Sequence, residues 1–187
     1  MFLFLLFCRS RLPATGYHSA SSWQADYAVY FFTGASIVTD VGDARKGETF
    51  LTRSPAATAA LGRKIAQRLH AGDCLALIGD LGAGKTALIR GIAAGLGLAD
   101  ERMVSSPTFV LVQEYPATVP IYHIDLYRLA DARGELAGLG VHEMLTGGVV
   151  LIEWADRAGE ALPRPRWQIQ ITHTGPRSRR FVLERIE

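Results

Sequence analysis

Gly79-Asp80-Leu81-Gly82-Ala83-Gly84-Lys85-Thr86 matches the pattern G-x-x-x-x-G-K-[ST] at every specified position, and the fold is read outward from it. The glycines allow backbone conformations closed to other residues, so that successive N–H groups turn inward toward phosphate oxygens. A helix starting at Lys85 adds its positive end to the same point. Lys85 is then placed to reach the outer phosphates and the Thr86 hydroxyl to hold magnesium. The motif has the flanks it needs. Cys74 to Ile78 is a short apolar run that reads as a buried strand. Leu88, Ile89, Ile92 and Leu96 line one face of a helix that Gly97 ends.

Upstream, Leu61, Ile65, Ala66 and Leu69 recur at helical spacing, with Ser54 and Pro55 at the entry and Gly72 at the exit. Downstream, strands are expected at Thr108 to Gln113, Ile121 to Asp125, Val149 to Glu153, Trp167 to Thr172 and Arg180 to Ile186. The expected class is α/β, a P-loop NTPase-like three-layer fold with a mostly parallel central sheet flanked by helices. Two of these strands end on an acid, Asp125 and Glu153. That places both carboxylates at the carboxyl edge of a parallel sheet, beside the glycine loop. Such a site needs a carboxylate for magnesium and a group to orient the attacking water, so Asp125 and Glu153 are candidates for both roles. Ser106-Pro107-Thr108-Phe109 lies where a loop can sense the terminal phosphate, with Thr108 as the sensing residue. Trp154 follows Glu153 directly, as a core aromatic or a contact to the nucleotide or a partner. His123 reads as a residue satisfied within the fold, and no histidine is given a role.

Composition sets the frame. Half of the 187 residues are apolar and 20% charged, as in an ordinary globular domain, and a net charge of +2 is too small to announce nucleic-acid binding. Cys8 and Cys74 form no disulfide framework or zinc spacing, which makes a reducing compartment, the cytoplasm, the default. The base is favoured as adenine, because the Asn-Lys-x-Asp segment of guanine-specific proteins has no counterpart in a chain without asparagine. Met1 to Cys8 is apolar but too short for a membrane span and lacks the charged start of a secretory signal.

The segments together resemble the bacterial TsaE family, the ATPase subunit of the machinery that makes threonylcarbamoyladenosine in tRNA. The resemblance rests on Gly79–Thr86, Ser106–Phe109, the run His123-Ile-Asp-Leu-Tyr-Arg-Leu129 and Ile152-Glu-Trp154, in the family's order. It covers roughly Thr49 to Glu187. It implies ATP and magnesium as ligands, with Gly79, Gly82, Ala83, Gly84, Lys85, Thr86, Ala87 and Trp154 around the nucleotide. By the same resemblance Thr86, Asp125 and Glu153 serve the metal, and Lys85, Thr108, Asp125 and Glu153 the chemistry. It further implies two partners, the threonylcarbamoyltransferase subunit and its paralogue, with tRNA met indirectly through the complex. Ser54 to Thr58 would border the adenine, and Arg180 matches a basic position on the last strand. Ala87, in place of a hydroxyl residue, and Ala132-Arg133-Gly134, in a stretch usually acidic, depart from the pattern. Arg164, Arg166, Arg177, Arg179 and Arg180 are read as a solvated face, with tRNA or partner binding as the alternative.

Two other readings share these residues: a P-loop small-molecule kinase, for which no arginine-rich lid is visible, and a nucleotide-gated binding module without productive hydrolysis. The expected organisation is an extension over 1–47 without regular structure or from a mis-called start, followed by an ATPase domain over 48–187. On the second account translation starts at a valine such as Val38 or Val41. Mass spectrometry of the native N-terminus checks this, and peptides from residues 1–37 would overturn it.

Overall fold

Three short runs carry the centre of the sheet because their residues are apolar on both faces, as parallel strands covered on both sides require. They are β4 (Cys74–Gly79), β6 (Ile121–Asp125) and β7 (Val149–Glu153). The computed structural model describes residues 27–32, 35–40, 47–107 and 110–187. Its other strands are β1 (Tyr27–Phe32), β2 (Ala35–Asp40), β3 (Glu48–Thr52), β5 (Val112–Tyr115), β8 (Arg166–His173) and β9 (Arg179–Ile186). All nine join one sheet in the order β1-β2-β3-β9-β8-β4-β7-β6-β5. Pairing is parallel through the core, β8-β4-β7-β6, and antiparallel at both flanks.

The period of two sorts the core strands into two layers. Leu75, Leu77, Val149, Leu151 and Ile121 face a cluster built from α1 (Pro55–Ala66) and α2 (Lys85–Gly95). Cys74, Ala76, Val150, Ile152 and Ile124 face the other way, under α3 (Ala132–Gly138) and α4 (Val141–Gly147). Cys74 is wholly buried, and burial pushes its thiol pKa up to about 12, which keeps it protonated and unreactive.

The expected elements on either side of the glycine loop are present, including the Ser54 cap, whose hydroxyl accepts from the Ala57 N–H at 3.1 Å. The strand expected at Thr108 to Gln113 forms later, as β5, and Thr108 and Phe109 lie outside the described residues. Its apolar start was misleading, since Val110 is 57% exposed and only the alternating Val112–Tyr115 pairs with β6. Within 1–47, where no regular element was expected, the backbone forms β1 and β2, a hairpin continuing through β3 into the sheet. The reason is tertiary: β2 takes its register from the edge of β3, which periodicity within 1–47 cannot reveal. The helices α3 and α4, seven residues each, are too short to show a helical period.

The α1–α2 contact depends on missing side chains. A Cβ on Gly91 would stand 2.1 Å from the Ala59 carbonyl oxygen, and one on Gly62 2.4 Å from that of Leu88. Both obstacles are backbone, so the helices could not stay this close. Gly91→Ala is expected to lower stability by about 1–3 kcal/mol, as overpacking does, read as a lower urea midpoint at unchanged slope.

Candidate functional site

The site forms where β4 gives way to α2. Gly82 and Gly84 hold φ angles of 72° and 103°, which other residues rarely adopt, and a Cβ on either would meet nothing within 4 Å. The glycines therefore serve conformation rather than close packing, and the open space beside them has room for an anion. Ala83 is buried, while Thr86 and Ala87 on the first turn of α2 stay partly accessible. Lys85 is folded back into the loop. Its Nζ donates to the carbonyls of Gly79 (2.7 Å) and Asp80 (3.0 Å) and lies 3.7 Å from the centroid of the Trp154 ring. Burial pushes its pKa below the ordinary 10.5, against the upward pull of Glu153, Asp125, Asp156 and Asp80. A bound phosphate would favour the charged form that burial opposes.

The two strand-end acids meet this loop because β4, β6 and β7 run the same way. Asp125 is the register partner of Glu153, and Glu153 that of Leu77, so the acids stand at the loop's edge of the sheet. Parity also puts Ile121, His123 and Asp125 on the face of Val149, Leu151 and Glu153, the face that carries α2. Glu153, only 3% exposed, accepts the Thr86 hydroxyl at 2.8 Å and faces His123 Nε2 at 3.1 Å. Asp125 instead accepts the Ser106 hydroxyl on one oxygen and the Tyr127 N–H on the other, the latter at 2.9 Å.

Trp154 sits at φ 57°, unusual for a bulky residue and costing of order 1–3 kcal/mol, so its surroundings must hold it. Tyr127 stacks on it with ring centroids 4.6 Å apart. Arg157 in turn pins the segment after Asp125, donating to the carbonyls of Leu126 (2.9 Å), Tyr127 and Leu129 (2.7 Å). Among the described residues no three His, Cys, Asp or Glu side chains converge into a closed metal cage. What Thr86 and Glu153 offer is a pair of hard oxygen donors at a phosphate loop. That set fits magnesium, which keeps water and phosphate ligands, better than zinc.

Behind the loop a cavity of about 260 Å³ is lined by Ser54, Pro55, Thr58, Gly84, Ala87 and Arg179, among others. Ser54, Pro55 and Thr58 thus share a cavity with the glycine loop. A larger open groove, about 550 Å³, lies along α3 and α4, and none of its lining residues belongs to the glycine loop. The expected solvated arginine face is only partly so. Arg177 and Arg180 are exposed, whereas Arg166 is 8% exposed and held by the Pro163 carbonyl and Gln168. Arg179, not Arg180, reaches the glycine loop, donating to the carbonyls of Ala83 (3.2 Å) and Gly82 (3.3 Å). Alternation along β9 contained that signal, since Arg179 shares the face of the core residues Phe181 and Leu183.

A phosphate-binding loop between strand and helix, with acids at the ends of adjacent parallel strands, defines a P-loop nucleotide-binding α/β protein. The family model "Threonylcarbamoyl adenosine biosynthesis protein TsaE" matches residues 52–181, and this chain belongs to the TsaE family. The tRNA threonylcarbamoyladenosine biosynthesis protein TsaE of Bacillus subtilis is 42% identical over 134 residues, 71% of this chain and 82% of that protein. The protein of the same name from Streptomyces coelicolor is 40% identical, over 59% of this chain and 76% of its own. The crystal structure of Bacillus subtilis YdiB superposes with a TM-score of 0.60 at 35% identity, covering 74% of this chain and 85% of that one.

Arg179→Ala is expected to loosen the loop without unfolding the sheet. Amide exchange at residues 80–84 should quicken as if opening cost about 1 kcal/mol less, the usual worth of such hydrogen bonds.

Proposed function

We propose that this chain binds ATP with magnesium and hydrolyses it as the ATPase subunit of the complex that forms N6-threonylcarbamoyladenosine in tRNA, next to the anticodon. The observation that carries the reading is the 2.8 Å contact between Thr86 on the phosphate loop and the buried Glu153. It brings the loop's hydroxyl and a carboxylate to one point, as a magnesium–nucleotide site requires. Thr86 and Glu153 would hold the metal directly. When bound, magnesium neutralises phosphate charge and polarises the bond to be broken.

The chain's own groups do the rest. Backbone N–H groups from Gly82 to Thr86 cradle the phosphates, and Lys85 leaves the Gly79 and Asp80 carbonyls for the outer phosphate. Asp125 orients the attacking water from its place beside Glu153, while its bond to Ser106 ties it to the segment leading to Thr108, the proposed phosphate sensor. Trp154 packs beside the phosphates. The cavity at Ser54, Thr58 and Ala87 takes the adenine, and the absence of asparagine argues against guanine. Leu81, on the glycine loop, and Tyr127, against Trp154, are 71% and 45% exposed. Such apolar exposure fits partner subunits, the transferase and its paralogue, through which tRNA is met. Among the described residues no helix is long and apolar enough to cross a membrane, and the place of action proposed is the cytoplasm.

The test measures ATP binding and consumption by wild type and variants, alone and with the two partner proteins and unmodified tRNA. Slow turnover alone and stimulation by the partners are expected. Lys85→Ala should weaken ATP by about 1.5–3 kcal/mol, the worth of charge-assisted hydrogen bonds, and Glu153→Ala should cost more in hydrolysis than in binding. Phosphate transfer to a small acceptor, or binding without hydrolysis under every condition, would overturn the reading.

A further inference from the structure

His123 is wholly buried in the middle of β6, with Ile121 and Leu151 for neighbours on its face. An aliphatic side chain would fill that position without the cost of burying two ring nitrogens. Both nitrogens are engaged, and in different directions. Nε2 faces Glu153 Oε1 at 3.1 Å, the same oxygen that accepts the Thr86 hydroxyl. Nδ1 faces the hydroxyl of the buried Tyr115 at 3.4 Å. That hydroxyl also reaches the Ser105 carbonyl at 3.3 Å, next to Ser106, whose own hydroxyl donates to Asp125.

We propose that His123 is a positioning residue: it fixes the Glu153 carboxylate toward Thr86 and, through Tyr115, couples that carboxylate to the segment around Ser105. The inference rests on the proposed role of Glu153 toward magnesium. A carboxylate in a dry site needs a donor to hold its orientation, and the Nε2–H supplies one to Oε1, the oxygen that meets Thr86, as outer partners of metal ligands do. Tyr115 has one proton and two acceptors in reach, Nδ1 and the Ser105 carbonyl. A shift of Ser105 therefore changes what His123 receives, and the imidazole passes that change to Glu153. The carboxylates at the ends of β6 and β7 are thereby both tied to one loop, Asp125 through Ser106 and Glu153 through His123, Tyr115 and Ser105.

The test compares two amides of similar chemistry in the full-length protein. His123→Gln puts an N–H close to where Nε2–H stands, whereas His123→Asn reaches only the Nδ1 position. Affinity for a fluorescent ATP analogue is titrated with magnesium and with EDTA, alongside Glu153→Gln and Tyr115→Phe. Amide exchange at residues 104–106 is followed under the same two conditions. His123→Asn is expected to lose about tenfold in the magnesium-dependent part of the affinity, with binding in EDTA unchanged, while His123→Gln keeps most of it. Tyr115→Phe should keep that affinity and lose the extra protection that magnesium–ATP gives residues 104–106. If Gln and Asn behave alike, or if binding in EDTA falls as much as binding in magnesium, His123 only fills the fold and the proposal is overturned. A Glu153→Gln protein with wild-type magnesium dependence would instead remove the metal role of Glu153, and this inference with it.

Discussion

The parallel alignment of β4, β6 and β7 is the constraint on which the rest of the molecule depends. Strands that run the same way deliver their carboxyl ends to one edge, and here those ends are a phosphate loop, Asp125 and Glu153. Reverse any one of them and its group would emerge on the far side of the sheet, a strand's length away. The alignment is bought with burial: the core strands are covered on both faces, by α1 and α2 on one and by α3, α4 and the 155–161 turns on the other. This is why the site can hold a carboxylate as deeply buried as Glu153. The ladders around it fix its position, and Thr86 and His123 satisfy its oxygen.

Around that centre the structure ties each moving part to another. Lys85 occupies the space between the loop carbonyls and Trp154, the only described non-glycine residue with positive φ. Arg179 reaches across from β9 to fasten Gly82 and Ala83, and Arg157 fastens the segment after Asp125. These are backbone-directed contacts from long, charged side chains, which fix the path of the loops they reach. Membership of the TsaE family gives the arrangement its biological setting.

Much of the fold was legible because the loop motif imposes its own context. A strand must precede it and a helix must follow, and two further apolar runs ending on acids completed the parallel core. The misreadings have physical causes. Val110, though apolar, lies exposed ahead of the paired strand, so hydrophobicity without alternation pointed to a strand in the wrong place. The hairpin of β1 and β2 exists by pairing with β3, and no local period announces a strand whose partner supplies its register. Five arginines were grouped as one face because their proximity in sequence hid the alternation that sends Arg179 inward and Arg180 out.

His123 illustrates the division most clearly. The sequence alone determined that a phosphate-binding loop, two strand-end acids and a histidine two residues before one of them would share a chain. These are properties of short segments, governed by backbone geometry and side-chain periodicity. Only the tertiary structure decided which acid meets Thr86, which nitrogen of His123 meets that acid, and that Tyr115 and Arg179 belong to the same site. Those contacts join residues 8 to 97 positions apart, and they are set by strand register and layer packing, which a linear sequence constrains only through the whole fold.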